Sequence, residues 1–411
     1  MEERQNKPKK IAFFGHFDSS NFGNESTLQA ILYHLRRFHP DAEILCISTG
    51  PEATMATHQI DAIPIAETFM ESWTPRYPLL KALRKICIGV PSEAYRWISG
   101  LFQLRRTETL IIPGTGLLTD AYGLINWGPY NLFKWSLIAK LCGCKLLFVS
   151  IGAGPIYSTL GRYFFRSILR LADFRSYRDD TTLQYLRNIG VNVGGDRVYP
   201  DLAFSLPEAV IPRYPVVNYN HKTIVGLGVM QYAGKYSVAN PSDKIYDDYL
   251  NSLVKFVKWL LARDYDVRLL SGDLVDERTR KEFIEFLKGE LPGLDEERII
   301  DEPITSVGEL LAQIAATDIV VATRFHNVLL ALLCNKPVLS ISFHHKCKSL
   351  MRAVELSDYC LDINDLKAEK LIEKFCDLER DADNIKLSIG EKARVFREEL
   401  DEQYRLIFNL I

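Results

Sequence analysis

The sequence predicts an α/β fold in which two doubly wound domains face a cleft, and three features lead to this prediction. With 411 residues, the chain is longer than a single hydrophobic core usually organises. Short apolar runs alternate with stretches of helical periodicity, which is typical of a parallel sheet covered by helices. A proline- and asparagine-rich stretch after residue 206 interrupts the alternation, which then resumes, so two similar domains are expected.

The first predicted domain covers residues 1–206. Its strands are the apolar runs at 11–14, 43–48, 109–112, 145–151 and 174–177. Between and after them, helices are predicted at 25–38, 130–141, 160–171 and 179–189. The last of these helices is expected to end at Gly190, because glycine most readily adopts the left-handed conformation that follows a helix.

The second predicted domain covers residues 222–384 and follows a linker over 207–221. Its strands are predicted at 223–227, 267–270, 318–322 and 337–342, and its helices at 246–261, 309–316 and 327–334. A long helix is predicted over 385–411, where apolar residues recur every three or four positions. Because this apolar face arrives after the second sheet is complete, we expect the helix to pack back on the N-terminal domain.

Composition argues against several classes of protein. The formal net charge of −2 does not favour nucleic acid as a partner. The polar N-terminus lacks a secretory signal and no apolar run reaches the roughly 18 residues of a membrane span, so a cytoplasmic location is expected. The eight cysteines are scattered, and the C-G-C of Cys142 and Cys144 is not a zinc spacing. Neither a metal nor a bound cofactor is predicted.

Three loops of the first domain follow predicted strands, where open α/β sheets bind their ligands. The loop after the first strand contains His16, Asp18, Asn21, Gly23 and Asn24. Two later loops contain Gly114, Thr115, Gly116 and Asp120, and then Gly152 and Gly154. Glycines allow backbone to approach a ligand closely. The alternative is that these residues only form tight turns and an asparagine helix cap.

The sharpest candidate is the loop Thr323-Arg324-Phe325-His326-Asn327, between a buried strand and an apolar helix. A guanidinium is costly to bury without an anionic partner, and a helix start attracts negative charge. Arg324 is therefore predicted to bind an anionic substrate rather than to shape the fold. The alternative for His326 is a simple helix cap. The next strand ends at Phe343-His344-His345-Lys346, which should lie beside this loop.

From Ile11 to about Leu350, the chain resembles the polysaccharide pyruvyl transferase family. The order and spacing of several short motifs carry this resemblance: G-H-F-D-S-S-N-F-G-N-E, P-G-T-G-L-L-T-D, S-I-G-A-G-P-I, Y-R-D-D, P-D-L-A-F-S-L and T-R-F-H, with Lys346 after them. Two positions depart from the family pattern. Asn24 stands where the family commonly has aspartate, and Pro113-Gly114-Thr115-Gly116 replaces its usual glycine-rich loop.

The resemblance implies two Rossmann-like domains of the GT-B type, with the donor on the C-terminal domain and the acceptor toward the N-terminal one. It implies transfer of a pyruvyl group from phosphoenolpyruvate to a sugar or lipid-linked glycan, with release of phosphate. The implied donor ligands are Arg324, Lys346, Arg178, Asn327 and His345. His326 is the implied general acid. The candidates for activating the sugar hydroxyls are His16, Asp18 and Asp120.

Two other functions stay open, namely a nucleotide-sugar glycosyltransferase of the same fold class and a sugar-binding relative without catalytic activity. Residues 74–106 also have two interpretations, because seven basic residues are mixed there with aromatic and aliphatic ones. One is a helix lying on the inner face of a membrane, where a lipid-linked acceptor would be found. The other is a solvated helical insertion packed on the core.

Overall fold

A computed structural model describes residues 8–18, 20–66, 77, 79, 84–121, 123–124, 128–212, 222–231 and 243–411. The chain divides into two units. The first comprises Met1–Asp18, Ile31–Asp201 and Gln403–Ile411, and the second comprises Ser19–Ala30 and Leu202–Glu402. The sequence placed the domain boundary at residue 206, whereas this division falls after Asp201 and assigns most of the first loop to the second unit. Residues 213–221 of the predicted linker lie outside the described residues.

Parallel strands form the centre of the first unit. They are β1 (Lys10–Gly15), β2 (Glu43–Ser48), β3 (Asp61–Pro64), β4 (Thr109–Pro113), β5 (Lys145–Ile151), β6 (Phe174–Tyr177) and β7 (Arg197–Val198). Their order in the sheet is β3-β2-β1-β4-β5-β6-β7. All five residues of β4 are buried, as expected for a central parallel strand with helices on both faces.

The helices of this part of the chain follow the strands in alternation. They are α1 (Phe22–Phe38), α2 (Pro51–His58), α3 (Val90–Leu104), α4 (Pro129–Leu141), α5 (Thr159–Leu171) and α6 (Asp180–Asn188). One π-helical turn, Lys85–Gly89, precedes α3. Gly190 has a φ of 82° after α6, which confirms it as the predicted residue of the helix end. No helix within the described ranges is long and apolar enough to cross a membrane.

The second unit repeats this architecture. Its strands are β8 (Ile224–Gly228), β9 (Asp266–Leu270), β10 (Ile299–Ile300), β11 (Ile319–Ala322), β12 (Val338–Ser342) and β13 (Cys360–Asp362). Their order is β10-β9-β8-β11-β12-β13. The helices are α7 (Asp243–Leu261), α8 (Glu277–Glu290), α9 (Val307–Ala315), α10 (Phe325–Leu333), α11 (His345–Ala353) and α12 (Ala368–Arg380), followed by α13 (Ala382–Leu410).

The two sheets confirm the predicted fold class of two Rossmann-like domains. In both, the third, second and first strands are followed by the fourth, fifth and sixth, which is the doubly wound order. Every predicted strand and helix is present, with ends within three residues of the prediction. The short strands β3, β7, β10 and β13 were not predicted, because two to four residues carry little periodicity. Helices α2, α8, α11 and α12 were not predicted either.

The end of α13 packs in the first unit through a buried polar network. The side chain of Gln403 donates from Nε2 to Ser150 Oγ at 3.0 Å and accepts at Oε1 from Ser176 Oγ at 2.7 Å. All three residues are fully buried. Further along α13, Tyr404 stacks on His34 with ring centroids 4.2 Å apart. The apolar stripe that predicted this packing is therefore supplemented by specific hydrogen bonds.

We expect Gln403→Ala to lower the free energy of unfolding of the first unit by about 2–3 kcal/mol, because two buried hydroxyls lose their partner. Urea unfolding followed by circular dichroism measures the change. Leu387→Ala is the control, since Leu387 lies on the same helix and is 75% exposed. The control should stay within about 0.5 kcal/mol of the wild type. An equal effect of the two substitutions would contradict a stabilising role for the network.

Candidate functional site

The second sheet brings four loops to one edge. Neighbouring strands β9, β8, β11 and β12 are all parallel, so the loops after them lie at the same edge of the sheet. The strand order reverses between β8 and β11, and open α/β sheets bind ligands at this switch point. The Arg324 and His326 loop follows β11, directly at that position. The prediction that the loop after β12 is its neighbour is confirmed by the β11–β12 pairing.

A segment from the N-terminal loop joins these four loops within the same unit. Asn21 Nδ2 donates to Asp273 Oδ2 at 2.8 Å, in the loop after β9. Asn21 Oδ1 accepts from the backbone N–H groups of Gly23 and Asn24, both at 3.1 Å. Asn21 therefore caps α1, which was the structural alternative for this loop, and also links α1 to the strand ends of the second sheet.

Gly23 lies directly against the imidazole of His326. A Cβ added at Gly23 would be 1.8 Å from His326 Nδ1 and 2.2 Å from Cε1, which no real side chain tolerates. Phe325 also borders the imidazole, with its ring perpendicular to it and the two centroids 4.9 Å apart. The imidazole of His326 can occupy this position only because residue 23 has no side chain.

Arg324 forms a bidentate ion pair with Asp276. Its Nε donates to Asp276 Oδ2 at 2.7 Å and its Nη2 to Asp276 Oδ1 at 2.6 Å. The side chain of Asp276 is fully buried, and that of Arg324 is 23% exposed. Arg324 Nη1 is also 3.9 Å from Asp273 Oδ2. The sequence predicted a substrate as the anionic partner of Arg324. In the structure, Asp276 of the chain itself is such a partner.

Asp273 and Asp276 were missed by the sequence analysis. Both belong to the stretch S-G-D-L-V-D over residues 271–276, which directly follows β9. Burial raises the pKa of Asp273, while the charge of Arg324 opposes this rise. A strand-end loop with two carboxylates was a usable signal, because the neighbouring strand-end loops were already candidates.

Asn327 is enclosed by two glycines at the strand ends. The residue is fully buried in the first turn of α10. A Cβ at Gly272 would be 2.4 Å from its Oδ1, and one at Gly228 would be 2.9 Å from its Nδ2. Among the described residues, neither amide atom has a hydrogen-bond partner. A buried amide without a partner needs water or a ligand group to satisfy it.

The loop after β12 begins α11 with a histidine cap. His344 Nδ1 accepts from the backbone N–H of Lys346 at 3.4 Å. The rings of His344 and His345 have centroids 4.0 Å apart, and His345 is the first residue of α11. His345 and Lys346 are half-buried at this edge of the second sheet. In the described part of the chain, no group of three or more His, Cys, Asp and Glu residues is placed to hold a metal ion.

The first unit holds the other predicted site residues, and hydrogen bonds within the unit hold Asp120 in place. Asp120 accepts three hydrogen bonds, from Tyr157 N at 2.8 Å, Ser158 N at 2.7 Å and Ser158 Oγ at 2.6 Å. It thereby fixes the N-terminus of α5, so the structure does not support it as a base for a sugar hydroxyl. His16 is half-buried, and Asp18 accepts from Thr49 Oγ1 at 3.4 Å.

Arg178 is buried in the first unit, with its side chain only 3% exposed. Its Nη1 donates to Asp201 Oδ2 at 3.2 Å. A Cβ at Gly152 would be 2.7 Å from its Nε, so Gly152 makes room for the guanidinium. In the same unit, Gly114 passes close to β5, since an added Cβ would lie 2.5 Å from the carbonyl oxygen of Ser150. The positive charge of Arg178 is therefore already offset by Asp201.

We expect Arg324→Ala to destabilise the second unit by about 2–4 kcal/mol, because it leaves the buried carboxylate of Asp276 without its cation. This replaces the expectation that Arg324 serves the ligand alone. Differential scanning calorimetry measures the effect. Removing both charges, in Arg324→Leu with Asp276→Leu, should recover part of the loss. A single variant as stable as the wild type would show that the pair does not hold the site together.

The fold and the strand-end site define a GT-B-like protein, and comparison with known proteins gives the family. A model described as polysaccharide pyruvyl transferase matches residues 21–345. The chain belongs to the polysaccharide pyruvyl transferase family, which confirms the resemblance in its motifs. The amylovoran biosynthesis protein AmsJ of Erwinia amylovora is 20% identical over 394 residues, which cover 89% of this chain and 91% of that protein.

Solved structures with the same fold share little sequence with this chain. The MnaA–UDP co-structure from S. aureus has a TM-score of 0.61 at 14% identity and covers 98% of both chains. HepE from Anabaena, in complex with UDP and glucose, has a TM-score of 0.56 at 13% identity and covers 96% of this chain and 99% of that one. Both support the GT-B-like fold.

Proposed function

We propose that the protein transfers a pyruvyl group from phosphoenolpyruvate to two hydroxyls of one sugar in a polysaccharide or its precursor. The observation that carries this proposal is the fixed imidazole of His326 at the switch point of the second sheet, beside Gly23 and the Arg324–Asp276 pair. The family match supports pyruvyl transfer. It covers residues 21–345, a range that includes Gly23, Asp276, Arg324 and His326.

The donor is a polyanion, and the loops of the second sheet offer it several positive groups. Lys346 follows β12, and α10 begins at this edge, so the positive end of its helix dipole lies there as well. The guanidinium of Arg324 lies at the same edge, with its Nη1 3.9 Å from Asp273 Oδ2. Asp273 lies beside these cations, and burial raises the pKa of its carboxyl while the charge of Arg324 opposes the rise.

In the proposed reaction, His326 delivers a proton to the methylene carbon of phosphoenolpyruvate, which becomes a methyl group. The first sugar hydroxyl attacks C2 and releases its proton, which restores the acid. The second hydroxyl then attacks C2 as the C–O bond to phosphate breaks, and its proton leaves with the phosphate. The products are a cyclic ketal and inorganic phosphate, so atoms and charge balance.

The experiment is incubation of purified protein with phosphoenolpyruvate and a panel of sugars and glycan precursors. Phosphate release that depends on the sugar, with a pyruvylated product in the mass spectrum, is the expected result. The glycosyltransferase alternative is favoured by one observation, the UDP and glucose bound to HepE. Turnover of a UDP-sugar with no turnover of phosphoenolpyruvate would overturn our proposal in favour of that alternative. Sugar binding without turnover of either donor would identify a non-catalytic relative.

A further inference from the structure

Exposed apolar side chains are concentrated in one part of the first unit. Among the described residues, ten of the nineteen large hydrophobic side chains that are exposed lie between residues 77 and 163. On α3, Tyr95, Ile98 and Phe102 are 42%, 54% and 63% exposed. Their spacing of three and four residues places them on one side of the helix. Scattered apolar residues need no explanation, but a contiguous group indicates an interaction surface.

A second helix adds to this surface. On α5, Leu160 and Tyr163 are 49% and 60% exposed, and Tyr157 just before the helix is 53% exposed. Helix α4 lies between α3 and α5: Trp97 on α3 donates to the hydroxyl of Tyr130 at 3.2 Å, and Phe133 stacks on Phe164 of α5 at 4.8 Å. We name the exposed residues of α3 and α5, together with Tyr157, Arg105 and Arg106, the α3–α5 face.

The charge of this region is strongly positive. Residues 84–170 contain eleven Lys and Arg but three Asp and Glu, a net charge of +8 in a chain whose total is −2. Two of the three acidic groups have partners inside the protein. Glu93 Oε2 accepts from Arg96 at 2.8 Å and its Oε1 lies 3.2 Å from the buried Lys134, while Asp120 is buried in its loop.

Five arginines of this region, in contrast, are exposed to solvent near the apolar side chains. Helix α5 carries Arg162, Arg166 and Arg170, all exposed, and has no acidic residue. Arg105 and Arg106 follow α3, and the guanidinium carbon of Arg105 lies 5.8 Å from the centre of the Phe102 ring. Aromatic and aliphatic side chains with arginines around them match the boundary between lipid headgroups and acyl chains.

We propose that the α3–α5 face docks on an anionic lipid bilayer. The apolar residues of both helices enter the headgroup boundary, and the arginines contact lipid phosphates. The excess of positive charge selects this occupant over a neutral apolar partner. Helix α3 belongs to the segment 74–106, for which membrane contact is one interpretation of the sequence, and α5 extends the surface beyond it. This inference does not depend on the proposed reaction.

The test is cosedimentation of the full chain with vesicles of phosphatidylcholine alone or mixed with phosphatidylglycerol. We expect binding to the mixed vesicles and little to the neutral ones, and the binding should weaken as salt is raised. The triple variant Arg105→Gln, Arg106→Gln, Arg170→Gln should bind about 100-fold more weakly, which corresponds to roughly a fivefold loss for each charge near the surface. The double variant Ile98→Gln, Phe102→Gln should lose about tenfold or more.

Control variants remove three exposed charges, or one exposed apolar side chain, elsewhere in the chain. Arg278, Lys281 and Lys288 on α8 have side chains 81%, 67% and 45% exposed, so their triple replacement by Gln should leave binding unchanged. Leu387→Gln is the control for the apolar variant. Equal loss in the α8 control, equal binding to neutral vesicles, or no binding at all would each overturn the proposal. Loss of a dimer in the Ile98→Gln, Phe102→Gln variant, without lipid binding by the wild type, would assign the face to a second copy of the chain.

Discussion

His326→Gln should lower the turnover number by about 10²–10⁴ while leaving affinity for phosphoenolpyruvate largely intact. Glutamine keeps a hydrogen-bonding side chain of similar reach, but it cannot deliver a proton as imidazolium does. The position of His326 is set by Gly23 and Phe325. The substitution therefore removes a proton donor from a defined place at the switch point of the second sheet, and it should change stability little.

Steady-state kinetics and calorimetric binding of phosphoenolpyruvate measure the two effects separately. The wild-type turnover should fall as the pH rises, because the acid form of His326 is required, and this dependence should be absent in the variant. Turnover within threefold of the wild type would show that the proton comes from another group, with His344 and His345 as the next candidates. Collapse of donor affinity together with turnover would make His326 a binding residue, and the proposed mechanism would be wrong.

Gly23→Ala should reduce turnover by about 100-fold, because it displaces the imidazole of His326. The added Cβ would lie 1.8 Å from Nδ1, so the ring must rotate away before the helix can accept alanine. Alanine is otherwise the better residue within a helix, by about 1 kcal/mol. The variant should therefore lose far more activity than stability, which distinguishes displacement of one side chain from general unfolding.

Gly308→Ala is the matched control for this substitution. Gly23 is the second residue of α1 and Gly308 the second residue of α9, so both occupy the same helix position. The nearest heavy atom to an added Cβ at Gly308 is Ser306 Oγ at 4.0 Å, an ordinary contact distance. The control should retain wild-type turnover and gain up to about 1 kcal/mol of stability. If the two variants behave alike in turnover, the close approach of Gly23 to His326 does not serve the reaction.

Most of the fold could be predicted from the sequence because its signals are local. Apolar runs such as 145–151 identify strands, and the apolar stripe of α13 identifies a helix. Neither signal requires knowledge of the element that the strand or helix packs against. The sequence also indicated which loops form the candidate site, since loops at the strand ends of a parallel sheet are ligand positions. Arg324, His326 and Asn327 were named for that reason, and the structure places all three at the switch point.

The sequence by itself determined the alternation of strands and helices, the family motifs and the loops that carry chemistry. Only the tertiary structure decided which residues of different loops meet. Asn21 bonds to Asp273 across 252 positions of the chain, and Arg324 bonds to Asp276 across 48. Such pairings depend on strand order, which periodicity does not report, because each apolar stripe records only that a residue is buried and not what it is buried against.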